Sequence, residues 1–284
     1  MSSGFDVSKS SEPLYGGTQS RRITTSDLQS AKLRGERWPM ITSYDALSAG
    51  IFDEAGFPVL LVGDSAAMVV YGFDSTIPVT CNDLIPLTTA VERGSKRAMV
   101  VADLPFGSYQ SSADQALESA MRFMKEGNAH AVKIEGGAYM ADTVHTLTQA
   151  GIPVMGHIGL TPQSVHQMGG YKVQGRGTSA QAIIDDAQAL VEAGAFSIVL
   201  EVIPSELAEQ ITRAISIPTI GIGAGSHTDA QVIVWQDLLG LTPGKQAKFV
   251  KHYAQMRDTM FESSRAWAND VVNGTYPDAE HSYS

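Results

Sequence analysis

Short apolar runs, each ended by a polar or charged side chain, recur along this chain of 284 residues and constrain its fold more than any other feature. The clearest run covers residues 59–62 and is followed at once by Gly63, Asp64 and Ser65. Four apolar residues are too few for a helix, so this pattern indicates a buried strand. Such runs alternate with helical patterns about eight times, and right-handed crossovers make the resulting sheet parallel. The sequence therefore predicts an α/β fold, a single (β/α)8 TIM barrel.

The predicted strands and helices divide most of the chain. Strands are expected at residues 40–43, 59–62, 99–102, 131–134, 153–156, 197–200, 218–222 and 231–236. Helices are expected at residues 25–33, 46–55, 82–93, 112–126, 143–150, 181–193 and 205–215, with a closing helical region over 245–272. Residues 231–236 could also form a helix, but their β-branched residues favour a strand. The segment between His157 and Ser179 has neither pattern, and loops of that length are usually lids or binding loops.

The two ends of the chain extend this barrel. The helix at 25–33 is an N-terminal helical extension that would cover one end of the barrel, and the C-terminal helices close the chain. We assign residues 23–284 to one barrel catalytic domain. Residues 1–22 are rich in Ser and Gly and lack apolar periodicity, so they are expected to form a mobile tail. Removal of residues 1–20 should then leave activity and melting temperature nearly unchanged.

The composition of the chain indicates its cellular compartment and excludes some classes of binding partner. The apolar runs are shorter than the ~18 residues that a membrane helix needs, and the N-terminus lacks a basic, apolar signal pattern. The single cysteine, Cys81, fits a reducing compartment. A formal net charge of −10 disfavours nucleic acid and anionic membranes as partners. We therefore expect a cytoplasmic protein that binds neither, and an anionic substrate would need a cationic side chain in its site.

Polar side chains at the predicted strand ends are the candidate site residues, because strand ends at one rim of a barrel converge on its axis. They are Asp45, Asp64, Ser65, Asp103, Lys133, Glu135, His157 and Glu201. Each alone could be a helix cap or a surface charge. Together, Asp64, Asp103 and Glu135 would repel one another, so a cation should neutralise them. Oxygen ligands favour Mg²⁺, and zinc is disfavoured because the sequence has no Cys/His cluster.

Longer motifs carry a resemblance to a known family. They are VGDS at 62–65, ADLPF at 102–106, VKIEGG at 132–137, GHIGLTPQS at 156–164, GGYKVQGRG at 169–177, LEVIP at 200–204 and GIGAG at 221–225. With them the chain resembles the ketopantoate hydroxymethyltransferases, of the phosphoenolpyruvate/pyruvate-type barrel superfamily. The resemblance extends from Met40 almost to the C-terminus and leaves out the N-terminal tail.

The resemblance implies a reaction and its co-substrate. A hydroxymethyl group would pass from 5,10-methylenetetrahydrofolate to the keto acid 3-methyl-2-oxobutanoate, giving 2-dehydropantoate in pantothenate and coenzyme A biosynthesis. An enolate stabilised by Mg²⁺ would attack the one-carbon unit. The resemblance also implies a homo-oligomer, which in this family is a decamer. The apolar side chains of the terminal helical region are consistent with a partner surface.

The resemblance also implies a role for each matching residue. Asp64 and Asp103 would ligate Mg²⁺, with Glu135 at or near the metal. The keto acid would be bound by Asp64, Ser65, Asp103 and Lys133. Glu201 would be the catalytic residue that accepts the C3 proton.

Other interpretations stay open. A Mg²⁺-dependent carbon–carbon lyase acting on a 2-keto acid through an enolate would share these groups, although such lyases commonly use a loop cysteine and Cys81 is not at a strand end. A non-catalytic binding barrel is disfavoured because buried unpaired charge is costly. His157 could donate to the site or be structural. Lys172 and Arg176 could meet the folate tail or a neighbouring subunit, or be solvated loop charges.

Overall fold

A computed structural model describes residues 12–17 and 20–284 of the chain. It divides into two compact units, Met1–Ile233 and Val234–Ser284. The eight strands of the first unit form a closed barrel in which each strand pairs in parallel with the next and the eighth pairs with the first. The predicted parallel barrel is confirmed. The domain boundary expected between residues 22 and 23 stays a prediction.

The elements succeed one another as the sequence pattern predicts, with small shifts at their ends. The strands are β1 Trp38–Thr42, β2 Val59–Val62, β3 Met99–Asp103, β4 Ala131–Glu135, β5 Val154–Gly159, β6 Ser197–Glu201, β7 Thr219–Ile222 and β8 Ala230–Ile233. The helices of the first unit are α1 Thr25–Leu33, α2 Ala46–Glu54, α3 Ala66–Val69, α4 Cys81–Gly94, α5 Ala113–Lys125, α6 Ala141–Gln149, α7 Val165–Met168, α8 Ala180–Glu192 and α9 Ser205–Ala214. The second unit contains α10 Trp235–Leu238 and α11 Met256–Asn273. None of the described helices is long and apolar enough to cross a membrane.

Two places depart from a regular alternation of strand and helix. Only residues 223–229 connect β7 to β8, and this described segment contains no helix. Gly223 and Gly225 have positive φ values of 64° and 80°, which turn the chain without a helix. The closing helix begins at Met256 rather than at residue 245. Just before this helix, the Tyr253 N–H donates to the carbonyl oxygen of Leu238, the last residue of α10. The backbone at Tyr253 therefore folds back on α10 and does not make the i to i−4 hydrogen bonds of a helix.

Side chains of alternate strand residues fill the barrel interior. The first layers, toward the N-terminal ends of the strands, are apolar. Their strand residues are Trp38, Met40, Val59, Leu61, Met99, Val101, Ala131, Met155, Val199, Ile220, Ala230 and Val232. Because strand side chains alternate between two faces, the residue two positions after an interior residue is again interior. Asp103, Lys133, His157 and Glu201 occupy such positions, so the interior changes from apolar to charged toward the C-terminal rim.

The N-terminal segment contributes to the apolar layer. Leu14 is 1% exposed and joins Ile23 and Leu28 in that cluster. The guanidinium of Arg97 donates to Leu14 O and Gly56 O, which fixes the segment against the barrel. Residues 1–11, 18 and 19 of the expected mobile tail lie outside the described residues. Of residues 12–17, Leu14 is the buried one, and its burial changes the expected effect of deleting the tail.

Leu14→Ala is expected to lower the free energy of unfolding by about 2–5 kcal/mol, the range for truncating a buried leucine. In a chain of this size each kcal/mol corresponds to about 2–4 °C in Tm, measured by calorimetry. Deletion of residues 1–20 should produce a similar loss, whereas deletion of residues 1–11 should not. Leu33→Ala is the matched control, since Leu33 is 80% exposed and should change stability by about 0.5 kcal/mol or less. Equal Tm values for Leu14→Ala and wild type would show that Leu14 is not packed.

His130 should make the fold sensitive to mild acid. Burial and the nearby Arg22 lower the pKa of His130 to about 4, and its Nδ1 accepts a hydrogen bond from Val100 N at 2.9 Å. An unfolded histidine has a pKa of about 6.5, so between pH 6.5 and 4 the unfolded state binds the additional proton. Stability is therefore expected to fall as pH decreases through this window. His130→Asn keeps an acceptor at the same position without titrating, and denaturant unfolding at pH 7 and 5 should show a smaller loss in this variant. An equal loss would exclude His130 as a cause.

Candidate active site

The register of neighbouring strands brings the charged side chains together in pairs. Asp103 on β3 is level with Lys133 on β4, and Glu135 on β4 is level with His157 on β5. Glu201 ends β6, the next strand around the barrel. All of these residues face the same end of the barrel because parallel strands share one carboxyl rim. The rim of the barrel is therefore the candidate active site.

Asp103 and Lys133 form a buried ion pair. Asp103 Oδ1 lies 2.7 Å from Lys133 Nζ, and the two side chains are 3% and 5% exposed. Asp103 Oδ2 accepts a hydrogen bond from Asp64 N at 2.9 Å. Burial lowers the pKa of Lys133, but the charges of Asp103, Glu135 and Asp64 outweigh it and raise the pKa above its usual value. Lys133 is thus held as a cation within the acidic cluster.

Asp64 and Ser65 come directly after Gly63 at the end of β2, the strand on the other side of β3 from β4. Burial and the charges of Asp103 and Glu135 raise the pKa of Asp64 well above its ordinary value. Ser65 Oγ lies 2.8 Å from the hydroxyl of Tyr44, a side chain that is itself buried. The carboxylate of Asp64 is therefore crowded by like charges, whereas the hydroxyl of Ser65 has a fixed neutral partner.

His157 lies between two carboxylates. Its Nδ1 is 3.3 Å from Glu135 Oε1, and its Nε2 is 3.2 Å from Glu201 Oε2. The contact with Glu201 is ionic and lacks the alignment of a hydrogen bond. Lys133 Nζ also lies 3.3 Å from His157 Nδ1. Burial and the Lys133 charge lower the pKa of His157, but Glu135 and Glu201 outweigh them and raise it to about 9. Burial raises the pKa of Glu135, and His157 and Lys133 together bring it below its usual value.

The four acids differ in how far solvent reaches them. The side chains of Asp103 and Glu135 are both 3% exposed, and Asp64 is also buried. The Glu201 side chain is 16% exposed. Glu201 is thus the acid of this cluster that a bound molecule reaches most easily.

Three of the other residues considered from sequence lie elsewhere. Asp45 is three residues beyond the end of β1 and caps α2, accepting hydrogen bonds from Leu47 N and Ser48 N at 2.9 Å each. Its prediction as a strand-end site residue is wrong because β1 ends at Thr42. Lys172 and Arg176 are exposed in the segment after α7.

Sequence reasoning missed three buried residues at the rim, Tyr44, Tyr109 and Gln163. Gln163 Nε2 donates to Asp64 Oδ2 at 2.9 Å, and Tyr109 O–H donates to Gln163 Oε1 at 2.7 Å. Gln163 belongs to the motif GHIGLTPQS. Its position shortly after β5 was the only sequence feature that could have indicated a place at the rim. Tyr109 lies in a loop six residues beyond the end of β3, where no strand-end pattern points to it.

The donor set can be compared with what a metal ion needs. Among the described residues, no three His, Cys, Asp or Glu side chains are grouped as a metal site. Mg²⁺ does not require such a group, because it commonly binds through one or two carboxylates and keeps waters or substrate oxygens as its other ligands. With all four carboxylates ionised, Lys133 and a protonated His157 leave two excess negative charges in this cluster. The residues therefore fit a divalent cation held by two carboxylates.

A closed parallel barrel with charged groups gathered at its carboxyl rim is the architecture of a barrel enzyme. A model of the ketopantoate hydroxymethyltransferase family matches residues 22–279. The chain therefore belongs to this family, and the family expected from the motifs is confirmed.

Individual relatives agree with this assignment. The 3-methyl-2-oxobutanoate hydroxymethyltransferase of Thermobifida fusca (strain YX) is 62% identical over 272 residues, which cover 95% of this chain and 97% of that protein. The enzyme of the same name from Rhodococcus jostii (strain RHA1) is 56% identical over 282 residues, 98% of each chain. A crystal structure of 2,3-dimethylmalate lyase, a member of the PEP mutase/isocitrate lyase superfamily, matches with a TM-score of 0.57 at 16% identity over 91% of each chain. At that identity the structural likeness shows the barrel fold alone.

Proposed function

We propose that this chain catalyses the reaction for which its relatives are named, hydroxymethyl transfer to 3-methyl-2-oxobutanoate. With 5,10-methylenetetrahydrofolate as donor and one water consumed, the products are 2-dehydropantoate and tetrahydrofolate, a step of pantothenate biosynthesis. The observation that carries the proposal is the buried Asp103–Lys133 pair beside Asp64, with the more exposed Glu201 on the same rim. This arrangement combines a cation for an acidic substrate with a carboxylate free to act as a base.

Lys133 and Ser65 are proposed to bind the keto acid. The substrate is an anion, and Lys133 supplies the positive charge that a chain of net charge −10 otherwise lacks. Ser65 can donate a hydrogen bond to a substrate oxygen while Tyr44 keeps its hydroxyl in place. The low local dielectric of this buried setting would strengthen the attraction between Lys133 and the substrate carboxylate.

Asp64 and Asp103 are proposed to hold Mg²⁺. The backbone N–H of Asp64 donates to Asp103 Oδ2, and the charge of Asp103 raises the pKa of the Asp64 carboxyl. A divalent cation would relieve this repulsion between the two carboxylates. Bound Mg²⁺ would polarise the keto group and stabilise the negative charge that develops when C3 loses its proton. Both oxygens of Glu135 already have partners, His157 Nδ1 and Gln163 N, so we assign Glu135 to the surroundings of the metal, acting through water.

Glu201 is proposed to accept the C3 proton. Its Oε2 is turned toward His157 Nε2, which orients the carboxylate and leaves Oε1 for the substrate. Water replaces the two carbon–nitrogen bonds of the folate methylene group, which releases tetrahydrofolate and a one-carbon unit at the oxidation level of formaldehyde. The deprotonated C3 adds to the carbon of this unit, and its oxygen takes up a proton to become the hydroxyl of the product.

The function is tested by incubating the purified protein with Mg²⁺, 3-methyl-2-oxobutanoate and 5,10-methylenetetrahydrofolate. We expect 2-dehydropantoate by mass spectrometry, and exchange of the C3 hydrogen in D₂O when the folate is omitted. Lys133→Met should abolish both signals, whereas Lys172→Met, at an exposed loop position, should retain C3 exchange. Absence of product and of exchange in the wild type would overturn the proposal, and cleavage of a larger 2-keto acid would favour the lyase.

We also propose that the protein is a homo-oligomer. The support is the exposure of large apolar side chains in the second unit, among them Tyr253, Phe261 and Trp267, which are 70%, 61% and 58% exposed. Large apolar side chains that gather on an exposed surface commonly mark a contact with a partner. Light scattering at micromolar concentration should give a mass several times the 30.3 kDa of one chain, up to the decamer of the family. A monomer mass would contradict this expectation.

A further inference from the structure

The side chain of Gln163 lies between the acidic groups of the rim and is only 4% exposed. It belongs to a turn of 3₁₀-helix, Pro162–Ser164, shortly after β5. No step of the proposed reaction assigns a task to this buried polar side chain. Its hydrogen bonds nevertheless connect it to groups at the carboxyl ends of three neighbouring strands, β2, β3 and β4.

The orientation of the Gln163 amide is determined by its partners. Leu104 O is a carbonyl and can only accept, so the atom 3.0 Å from it must be the amide nitrogen Nε2. The second N–H of Nε2 donates to Asp64 Oδ2 at 2.9 Å. Oε1 accepts from Tyr109 O–H at 2.7 Å and from Gln110 Nε2 at 3.1 Å. Every donor and acceptor of the amide is used, and rotation by 180° would place Oε1 against two acceptors.

The same residue reaches a second acid through its backbone. Gln163 N donates to Glu135 Oε2 at 3.0 Å, and the Tyr109 hydroxyl, which orients the amide, accepts from Glu135 N at 3.1 Å. Asp64 and Glu135 belong to different strand ends and repel one another. A single residue therefore donates to two carboxylates that repel one another and helps to orient both.

We propose that Gln163 is a positioning residue that fixes the Asp64 carboxylate for binding Mg²⁺ and the keto acid, an inference that rests on the proposed function. Its donation to Oδ2 holds the Asp64 carboxylate in one orientation. The other oxygen, Oδ1, would then be the one available to the metal. Hydrogen-bonded partners of metal ligands act in this way, and losing one typically weakens metal binding by about 10–100-fold.

The test compares Gln163→Met with wild type. Methionine has nearly the shape of glutamine and keeps the backbone N–H to Glu135, so the substitution removes only the amide. Calorimetric titration is expected to show Mg²⁺ binding at least about tenfold weaker. The rate of C3 exchange should fall at low Mg²⁺ and recover substantially at saturating Mg²⁺, a recovery that general structural damage would not produce.

Gln110→Met is the matched control, because Gln110 contacts the Gln163 amide but neither the Asp64 nor the Glu135 carboxylate. The Mg²⁺ affinity of this variant should stay close to that of wild type. Tyr109→Phe removes the hydroxyl that orients the amide, and it provides the measurement if Gln163→Met does not fold. We expect weaker Mg²⁺ binding in this variant too. Wild-type Mg²⁺ affinity in both Gln163→Met and Tyr109→Phe, with an active wild type, overturns the inference while the function stands. An inactive wild type instead overturns the function.

Discussion

Glu201→Gln is expected to slow exchange of the C3 hydrogen of 3-methyl-2-oxobutanoate by about 10²-fold or more, the scale for losing a positioned base. Glutamine has the shape of glutamate but cannot accept the proton. The contacts that would bind the keto acid, at Lys133 and Ser65, are not changed by the substitution. NMR in D₂O with Mg²⁺ measures the exchange directly and separates deprotonation from one-carbon transfer. Binding of the keto acid, measured by calorimetry, should remain close to that of wild type.

The contact between Glu201 and His157 defines the alternative. His157 Nε2 lies 3.2 Å from Glu201 Oε2, so Glu201 could orient the imidazole instead of acting on the substrate. The greater exposure of Glu201, 16% against 3% for His157, favours the carboxylate as the group that meets C3. Exchange at the wild-type rate in Glu201→Gln, with its loss in His157→Ala, would assign the base to the histidine.

Asp64→Asn and Asp103→Asn should each weaken Mg²⁺ binding by at least about tenfold. Losing a residue that only hydrogen-bonds to a metal ligand already weakens metal binding by about 10–100-fold, and losing a ligand should weaken it at least as much. Their effects on the protein without Mg²⁺ should differ. Asp64→Asn removes a carboxylate crowded by Asp103 and Glu135, and it should leave Tm unchanged or higher. Asp103→Asn leaves Lys133 buried without its ion-pair partner, and it should lower Tm, because breaking a buried pair on one side is costly. Titration calorimetry and thermal unfolding measure the two effects.

Asp45→Asn is the control for both variants. Asp45 also stands after a strand, but it is an exposed helix cap, and asparagine caps helices about as well. Its Mg²⁺ affinity and Tm should match those of wild type. Unaltered Mg²⁺ affinity in both Asp64→Asn and Asp103→Asn would refute the metal assignment.

The strand pattern was readable from sequence because each barrel strand is buried on both faces. Residues 59–62 are apolar throughout for this reason, and the polar groups stand where the chain leaves the sheet. The same reasoning failed for Asp45, since a polar residue after a strand can equally begin the next helix. At residues 223–229, for which no helix was predicted, a short glycine-containing link joins two strands directly. A local pattern shows where a strand ends, but it does not determine the structure of the next segment.

The sequence by itself determined the parallel barrel, its charged carboxyl rim and, through the motifs, the family. Those features depend on apolar periodicity and on long matching segments, which are local properties of the chain. The tertiary structure alone decided which charges touch: register sets Asp103 beside Lys133 and Glu135 beside His157. It also brought Leu14 into the apolar layer that contains Met99, and Gln163 onto Asp64, across separations of 85 and 99 positions along the chain. Contacts over such separations depend on strand order and register, and no local pattern contains that information.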